Sequence, residues 1–230
     1  MWDDHKMIKE IVQILIKSWR IDVLSLLLTN KGKKKITISP EISEILIGIL
    51  LGDGHIQQRS LKGNSRLMYT QSDKHKEYFD HVYNIFKDYC NKDYIPKMGT
   101  KRISEKVYKH YTFATLSLPC FNDYRKIFYN IEGKKIIPEN IIELLTPVSL
   151  AYWIMDDGSK HGKGLHISTY GYSIKEVESL IMVLTKKWKL KCTIHLKDNK
   201  PRIFIWSESK EKLRQLIEKH IHSSMHYKLD

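Results

Sequence analysis

Two aspartates in separate halves of the chain each close an apolar nonapeptide. The first nonapeptide is Leu46-Ile47-Gly48-Ile49-Leu50-Leu51-Gly52-Asp53-Gly54, and the second is Leu150-Ala151-Tyr152-Trp153-Ile154-Met155-Asp156-Asp157-Gly158. Each reads as a helix whose last turn presents one carboxylate and then stops at a glycine, which tolerates the left-handed backbone just past a helix end. Two such helices side by side would bring Asp53 and Asp157 together. Neighbouring carboxylates repel unless a cation lies between them, so the pair predicts a divalent-metal site at a seam between two halves. Unpaired carbonyls and the negative dipole end of each helix add to that charge. Oxygen-only ligands favour Mg²⁺, with Mn²⁺ as a substitute, over zinc. A hard ion held there activates water and stabilises a pentavalent phosphate. Register assigns the second ligand to Asp157. Its neighbour Asp156 has no counterpart in the first copy, where Gly52 stands, and the backbone carbonyls of Gly52 and Asp156 are further candidate ligands.

Positioning these acids requires two helices in close approach. Gly48 and Gly52 lie four apart and leave a stripe without side chains, and Ala151 offers a smaller notch on the second helix. Ser39-Pro40 and Thr146-Pro147 open the two helices, since proline suits a first helical turn. The rest of the chain repeats. Residues 74–89 and 174–188 read as helices. Residues 94–103, 108–118, 192–197 and 202–207 read as strands, with Asp198-Asn199-Lys200-Pro201 a turn between the last two. Short helices follow at 121–129 and 210–220. Each half is therefore helix, strands, helix, strands, helix, an α+β unit present twice with pseudo-twofold symmetry about the motif helices. The divisions are an N-terminal helical extension and linker (1–38), a first unit (39–138) and a second (139–230). The apolar stretch 8–28 is broken by Lys9, Glu10, Lys17, Arg20 and Asp22, which excludes a membrane span and leaves an amphipathic helix.

The formal net charge is +13 over 230 residues. Residues 1–130 carry 22 Lys+Arg against 14 Asp+Glu and the remainder 17 against 12, so the halves contribute +8 and +5. Charge spread in this way suits a long polyanion held by both halves, nucleic acid above all. The three cysteines, Cys90, Cys120 and Cys192, form no CxxC pair, which argues against a structural zinc site and favours a reducing compartment. His220, His222 and His226 lack a partner set of ligands elsewhere. Asp3 and Asp4 argue against a transit peptide, whereas heavy use of Lys, Ile, Asn and Tyr points to an AT-rich coding genome such as an organelle's.

The two nonapeptides resemble the LAGLIDADG signature, and the chain resembles the single-chain, double-motif homing endonucleases from about Ser39 to Leu229. Further matching segments are Gln71-Ser72-Asp73-Lys74-His75-Lys76-Glu77-Tyr78, Lys134-Lys135-Ile136-Ile137-Pro138, Leu145-Thr146-Pro147 and Tyr227-Lys228-Leu229. The resemblance implies tandem αββαββα units with two saddle-shaped antiparallel sheets in the DNA major groove. It implies a monomer that cuts both strands of duplex DNA with 3′ overhangs. Asp53 and Asp157 match the metal-binding acids. Lys135 and Lys228 match basic residues beside the scissile phosphates, and Gln71 and Asn199 match polar residues near the catalytic waters. Tyr170 departs from the pattern, since a glutamine is usual there. The same family includes intron maturases, which bind structured RNA, so intron RNA is the alternative partner.

Alternation marks the surfaces that would meet DNA. Ile194, Leu196, Ile203 and Ile205 face inward, which turns Thr193, His195, Lys197, Arg202, Phe204 and Trp206 outward. Arg and Lys on such a face read guanine edges. In the first half Gln57 and Arg59, with His55, alternate with Ile56, and Arg66 follows. Lys97, Lys101, Arg102 and Lys109 extend the basic surface.

Overall fold

In the computed structural model, Gly32 and residues 35–229 are described. The amphipathic stretch 8–28 and most of the linker fall outside them. Among the described residues no helix is long and apolar enough to cross a membrane.

The first motif helix, α1 (Pro40–Leu51), starts where the Ser39 side chain accepts the Ile42 N–H and Pro40 occupies the first turn. Strands β1 (His55–Gln58) and β2 (Ser65–Ser72) follow, then α2 (Lys76–Phe86), β3 (Lys97–Ile103), β4 (Lys106–Ala114) and α3 (Asn122–Phe128). A single helical turn, α4 (Ile141–Leu144), leads into the second motif helix, α5 (Pro147–Asp157). This one is closed by a reciprocal cap between Thr146 and Ser149. Then come β5 (Gly158–His161), β6 (Gly164–Ser168), α6 (Ile174–Trp188), β7 (Cys192–Lys197), β8 (Lys200–Ile205) and α7 (Lys210–Ile217). The αββαββα order thus occurs twice.

The two antiparallel sheets share one strand order, β1-β2-β4-β3 and β5-β6-β8-β7. Each keeps its apolar alternates against helices. Leu67, Tyr69 and Phe113 are fully buried on the first sheet, and Ile167, Ile203 and Ile205 are buried on the second. Residues 46–51 of α1 and 149–155 of α5 are buried all round. Each motif helix packs on its partner and on a sheet, so an amphipathic stripe would leave one side unmatched.

Several boundaries differ from the sequence reading. The last hairpin turns on Asp198 and Asn199 alone, because Lys197 pairs directly with Lys200. Both turn residues take positive φ, +50° and +59°, the backbone that a two-residue hairpin loop needs to match the strand twist. Lys200 and Pro201 therefore belong to β8. Leu196, opposite Pro201 near this turn, keeps the inward register but is exposed on the edge strand β7, whereas Pro201, one strand further in, is buried. Neither motif ends in a left-handed glycine: Gly54 does not take a positive φ, and Gly158, which caps α5, has φ −73°. Space explains the glycine at 158, where a Cβ would lie 2.5 Å from the Ile154 carbonyl oxygen.

Candidate active site

The seam between α1 and α5 is drawn tight by the missing side chains of α1. A Cβ on Gly48 would sit 2.4 Å from the Ser149 carbonyl oxygen and 2.7 Å from Tyr152 Cβ. One on Gly52 would sit 2.5 Å from Asp156 Cβ. The residues that enter the stripe are thus Ser149, Tyr152 and Asp156, not Ala151. At the end of the seam Asp53, Asp156 and Asp157 converge.

Their surroundings are unequal. Asp53 Oδ2 accepts from Gln71 Nε2 at 2.6 Å. Gln71 is buried on β2, and its Oε1 meets the Ser72 N–H at 3.1 Å and His75 Nδ1 at 3.3 Å. The Asp156 carboxyl turns away from the open end, into the first half. It accepts from the Asp53 backbone N–H at 3.0 Å, Tyr69 Oη at 2.7 Å and Tyr78 Oη at 3.0 Å. With those donors around it, the Asp156 side chain is a strut between halves and no free ligand. The sequence reading missed both tyrosines. Tyr69 stands two residues before Gln71 on one strand and so shares its face, the signal that points to it.

The two lysines close the helix ends. Lys135 Nζ donates to the carbonyls of Gly52 at 3.0 Å and Gly54 at 2.7 Å. Lys228, buried, donates to Asp156 O at 2.9 Å and also to Met155 O. Each cation thus meets the negative end of one motif helix. The carbonyls of Gly52 and Asp156, named above as candidate ligands, carry lysine hydrogen bonds here. Burial pulls the Lys135 ammonium down to about 8, against the attraction of Asp157, Asp156 and Asp53.

The acids are crowded. Burial, then the charge of Asp53, pushes Asp157 up to about 7, against the pull of both lysines. Burial raises Asp53 also, although its residue keeps an open side to solvent. Burial and the Asp53 charge hold Asp156 well above the ordinary range. Crowded acids of this kind gain from an added cation, although among the described residues no group of three or more His, Cys, Asp or Glu side chains is placed to hold one. An open cleft of about 220 Å³ lies beside Asp157, lined by Gly52, Lys135, Tyr170 and Tyr172 among others. Tyr172 Oη donates to Leu51 O at 3.2 Å. Tyr170, which departs from the pattern of the resemblance noted above, is exposed and makes no hydrogen bond to Asp157, so it does not repeat at the second acid the contact that Gln71 makes with the first. Asn199 sits exposed at the β7–β8 tip and bonds neither acid.

Both sheets turn an outer face away from the helices. Gln57 lies opposite Arg66 on it and accepts from that guanidinium at 2.6 Å. Lys97 and Lys101 share the Thr112 and Tyr108 side, whereas Arg102 and Lys109 fall on the alternate register at the exposed end of the β3–β4 hairpin. Arg59 is exposed just past β1. On the second sheet His195, Lys197 and Arg202 all take the outer register with Phe204.

A sequence model of the LAGLIDADG DNA endonuclease family matches residues 43–213. The chain belongs to this family. Among its relatives, the cytochrome b mRNA maturase bI2 of Debaryomyces hansenii is 35% identical over 234 residues, covering 99% of this chain and 84% of that protein. The probable intron-encoded endonuclease 1 of Wickerhamomyces canadensis is 32% identical over 219 residues, 89% of this chain and 90% of that protein. The solved structure of the homing endonuclease I-WcaI bound to its DNA recognition sequence superposes with a TM-score of 0.80 at 30% identity, covering 87% of this chain and 91% of that one. The family frame accounts for the doubled motif and the doubled sheet.

Proposed function

We propose that the protein is a site-specific double-strand DNA endonuclease of the intron-homing kind, active as a monomer. Asp53 and Asp157, at equivalent ends of the two motif helices and flanked by Lys135 and Lys228, carry this reading. In it the outer sheet faces follow the major groove of a long duplex. Cleavage across the intervening minor groove leaves 3′ overhangs.

Asp53 and Asp157 would hold Mg²⁺, or Mn²⁺ in its place, with the Gly52 and Asp156 carbonyls turned to the same end. The bound ion would supply an activated water and charge for the pentavalent phosphate. The chain's own groups do the rest. Gln71 aims the Asp53 carboxylate, and Lys135 and Lys228 offset the acids' charge near the phosphates. Asn199, at its hairpin tip, takes part in this reading only if bound DNA carries the tip inward.

Maturation of an intron RNA is the second reading, favoured by the 35% identity to a cytochrome b mRNA maturase. Incubation with Mg²⁺ and a plasmid carrying the intronless junction of the host gene separates the two. A linear product with short 3′ overhangs, lost in Asp53→Asn and in Asp157→Asn while DNA binding persists, is the expected result. Cleavage at wild-type rate in either variant overturns the metal assignment. Failure to bind this DNA, with tight binding to the intron RNA, replaces the endonuclease with the maturase.

A further inference from the structure

The outer face of the second sheet carries an unusual ring cluster. One row across the strands runs Ser159, His166, Phe204 and Thr193, and His195 stands one row on, opposite Arg202. The His161 and His166 rings lie 4.2 Å apart, His195 stacks on Phe204 at 4.5 Å and 17°, and Phe204 abuts Trp206 at 5.3 Å. Gly164 leaves room for this packing, since a Cβ there would meet Phe204 Cζ at 2.5 Å. Although His166 is on the outward register, its neighbours cover it to 2% exposure, whereas His195 stays half-buried.

The two imidazoles meet nitrogen to nitrogen: His166 Nε2 lies 3.0 Å from His195 Nδ1. A hydrogen bond between two such nitrogens holds one proton, so one ring donates and the other accepts. Burial and the Arg202 charge pull His166 down to about 4, which leaves it uncharged near neutrality. Ring stacking fixes the plane of His195, and the shared proton couples its tautomer to that of His166: a proton on His166 Nε2 leaves His195 protonated at Nε2, and a proton on His195 Nδ1 leaves that nitrogen an acceptor. The remaining nitrogen, Nε2, then has one defined sense as donor or acceptor. Lysine and arginine only donate, so a histidine of set tautomer adds information that the neighbouring Lys197 and Arg202 lack.

We infer that His166 is a positioning residue that sets the tautomer and ring plane of His195, making His195 a base-reading group of the second half. The inference rests on the DNA-binding reading above. It goes beyond that reading in naming a covered residue, absent from the direct contacts, as a determinant of sequence preference.

Selection of duplexes from a randomised library by the intact protein tests this, with wild type compared with His166→Phe and His195→Ala. Phenylalanine keeps the ring and removes the hydrogen bond. Both variants are expected to lose base discrimination at the same one or two adjacent positions, by about tenfold, with other positions unchanged. Nitrogen-15 shifts of the histidine rings give a readout free of DNA: one dominant His195 tautomer in wild type and a mixture in His166→Phe. A His166→Phe profile that matches wild type, or one flattened across the whole half-site, overturns the inference alone. A wild-type protein that selects no sequence overturns the DNA reading and takes the inference with it. If His166→Phe does not fold, the wild-type shifts decide, and averaged tautomers at His195 overturn the inference.

Discussion

The carboxyl of Asp156, at the end of α5, accepts the backbone N–H of Asp53, just past the end of α1, at 3.0 Å. This bond crosses between the halves and breaks their symmetry, because the first copy has Gly52 at the matching place and could hold nothing larger. Replacing Asp156 by alanine would strand that N–H together with the hydroxyls of Tyr69 and Tyr78. Each unmet donor costs about 1–3 kcal/mol where water cannot reach it. Asp156→Ala is therefore expected to lose about 3 kcal/mol or more in urea unfolding, and Asp156→Asn, which keeps one acceptor oxygen, clearly less. Equal losses in the two variants would mean that packing, and not hydrogen bonding, holds the strut.

Close approach at the seam predicts a second effect. In Gly48→Ala the new methyl would fall 2.4 Å from a backbone oxygen, so the two helices must separate. Overpacking of this kind costs about 1–3 kcal/mol and sometimes more. Gly171, with nothing within 4 Å of its would-be Cβ and no positive φ, is the control. Gly171→Ala is expected within about 0.5 kcal/mol of wild type. Thermal unfolding of the pair checks this. Because the acids sit at the end of the same seam, cleavage should fall in Gly48→Ala.

Gln71 supports Asp53 through a 2.6 Å hydrogen bond, while Tyr170 gives Asp157 no such bond. Groups that orient a metal-binding carboxylate are typically worth about 10–100-fold in metal affinity or activity. Gln71→Leu is expected to slow cleavage by a factor in that range, and Tyr170→Phe by less than about twofold. The rates of nicking and of linearisation of a supercoiled plasmid measure both. A Gln71→Leu enzyme at full rate would remove Gln71 from the site.

Much of this architecture was legible because it depends on local pattern. Helix α6 has the bounds that its periodicity predicts, and it begins at a capping box between Ser173 and Glu176. The inward register of Ile194, Ile203 and Ile205 follows from period-two alternation, although alternation alone does not say that β7 is an edge strand on which Leu196 is exposed. What local pattern does not carry is juxtaposition between halves. The Asp156 side chain looked like a spare acid beside the ligand, since its partners Tyr69 and Tyr78 lie far away in sequence. Lys135 and Lys228 each meet the carbonyls at a motif-helix end, an engagement that depends on chain segments that meet only in the folded molecule. The glycines of the motif look like left-handed caps, whereas Gly158 answers to crowding by Ile154.

Crowding of the acids has a consequence for stability against pH. Asp157 has a folded-state pKa of about 7, raised above its ordinary value of 3.8 mainly by burial and by Asp53. The folded protein therefore binds a proton there that the unfolded chain has released. Stability from this group is fully present below about pH 4 and is lost as pH rises to about 7. Histidines with depressed values titrate in the same window with the opposite sign, so the comparison must be between variants. Without divalent metal, Asp157→Asn should gain on wild type as pH rises from 4 to 7. The gain should reach between about 1 and 4 kcal/mol. The upper figure takes about 1.36 kcal/mol for each pH unit between the unfolded and folded values, and the lower allows for solvent on the open side of the residue. Adding Mg²⁺ should reverse the order, since an ion bound only by the folded state stabilises by about 2.7 kcal/mol at a hundred times its Kd. Urea unfolding of both proteins at about pH 4.5 and 7.5, with and without Mg²⁺, reads all of these differences. A variant whose advantage did not change with pH would show that Asp157 is not strained by its neighbours, and the case for a cation between the acids would lose its physical basis.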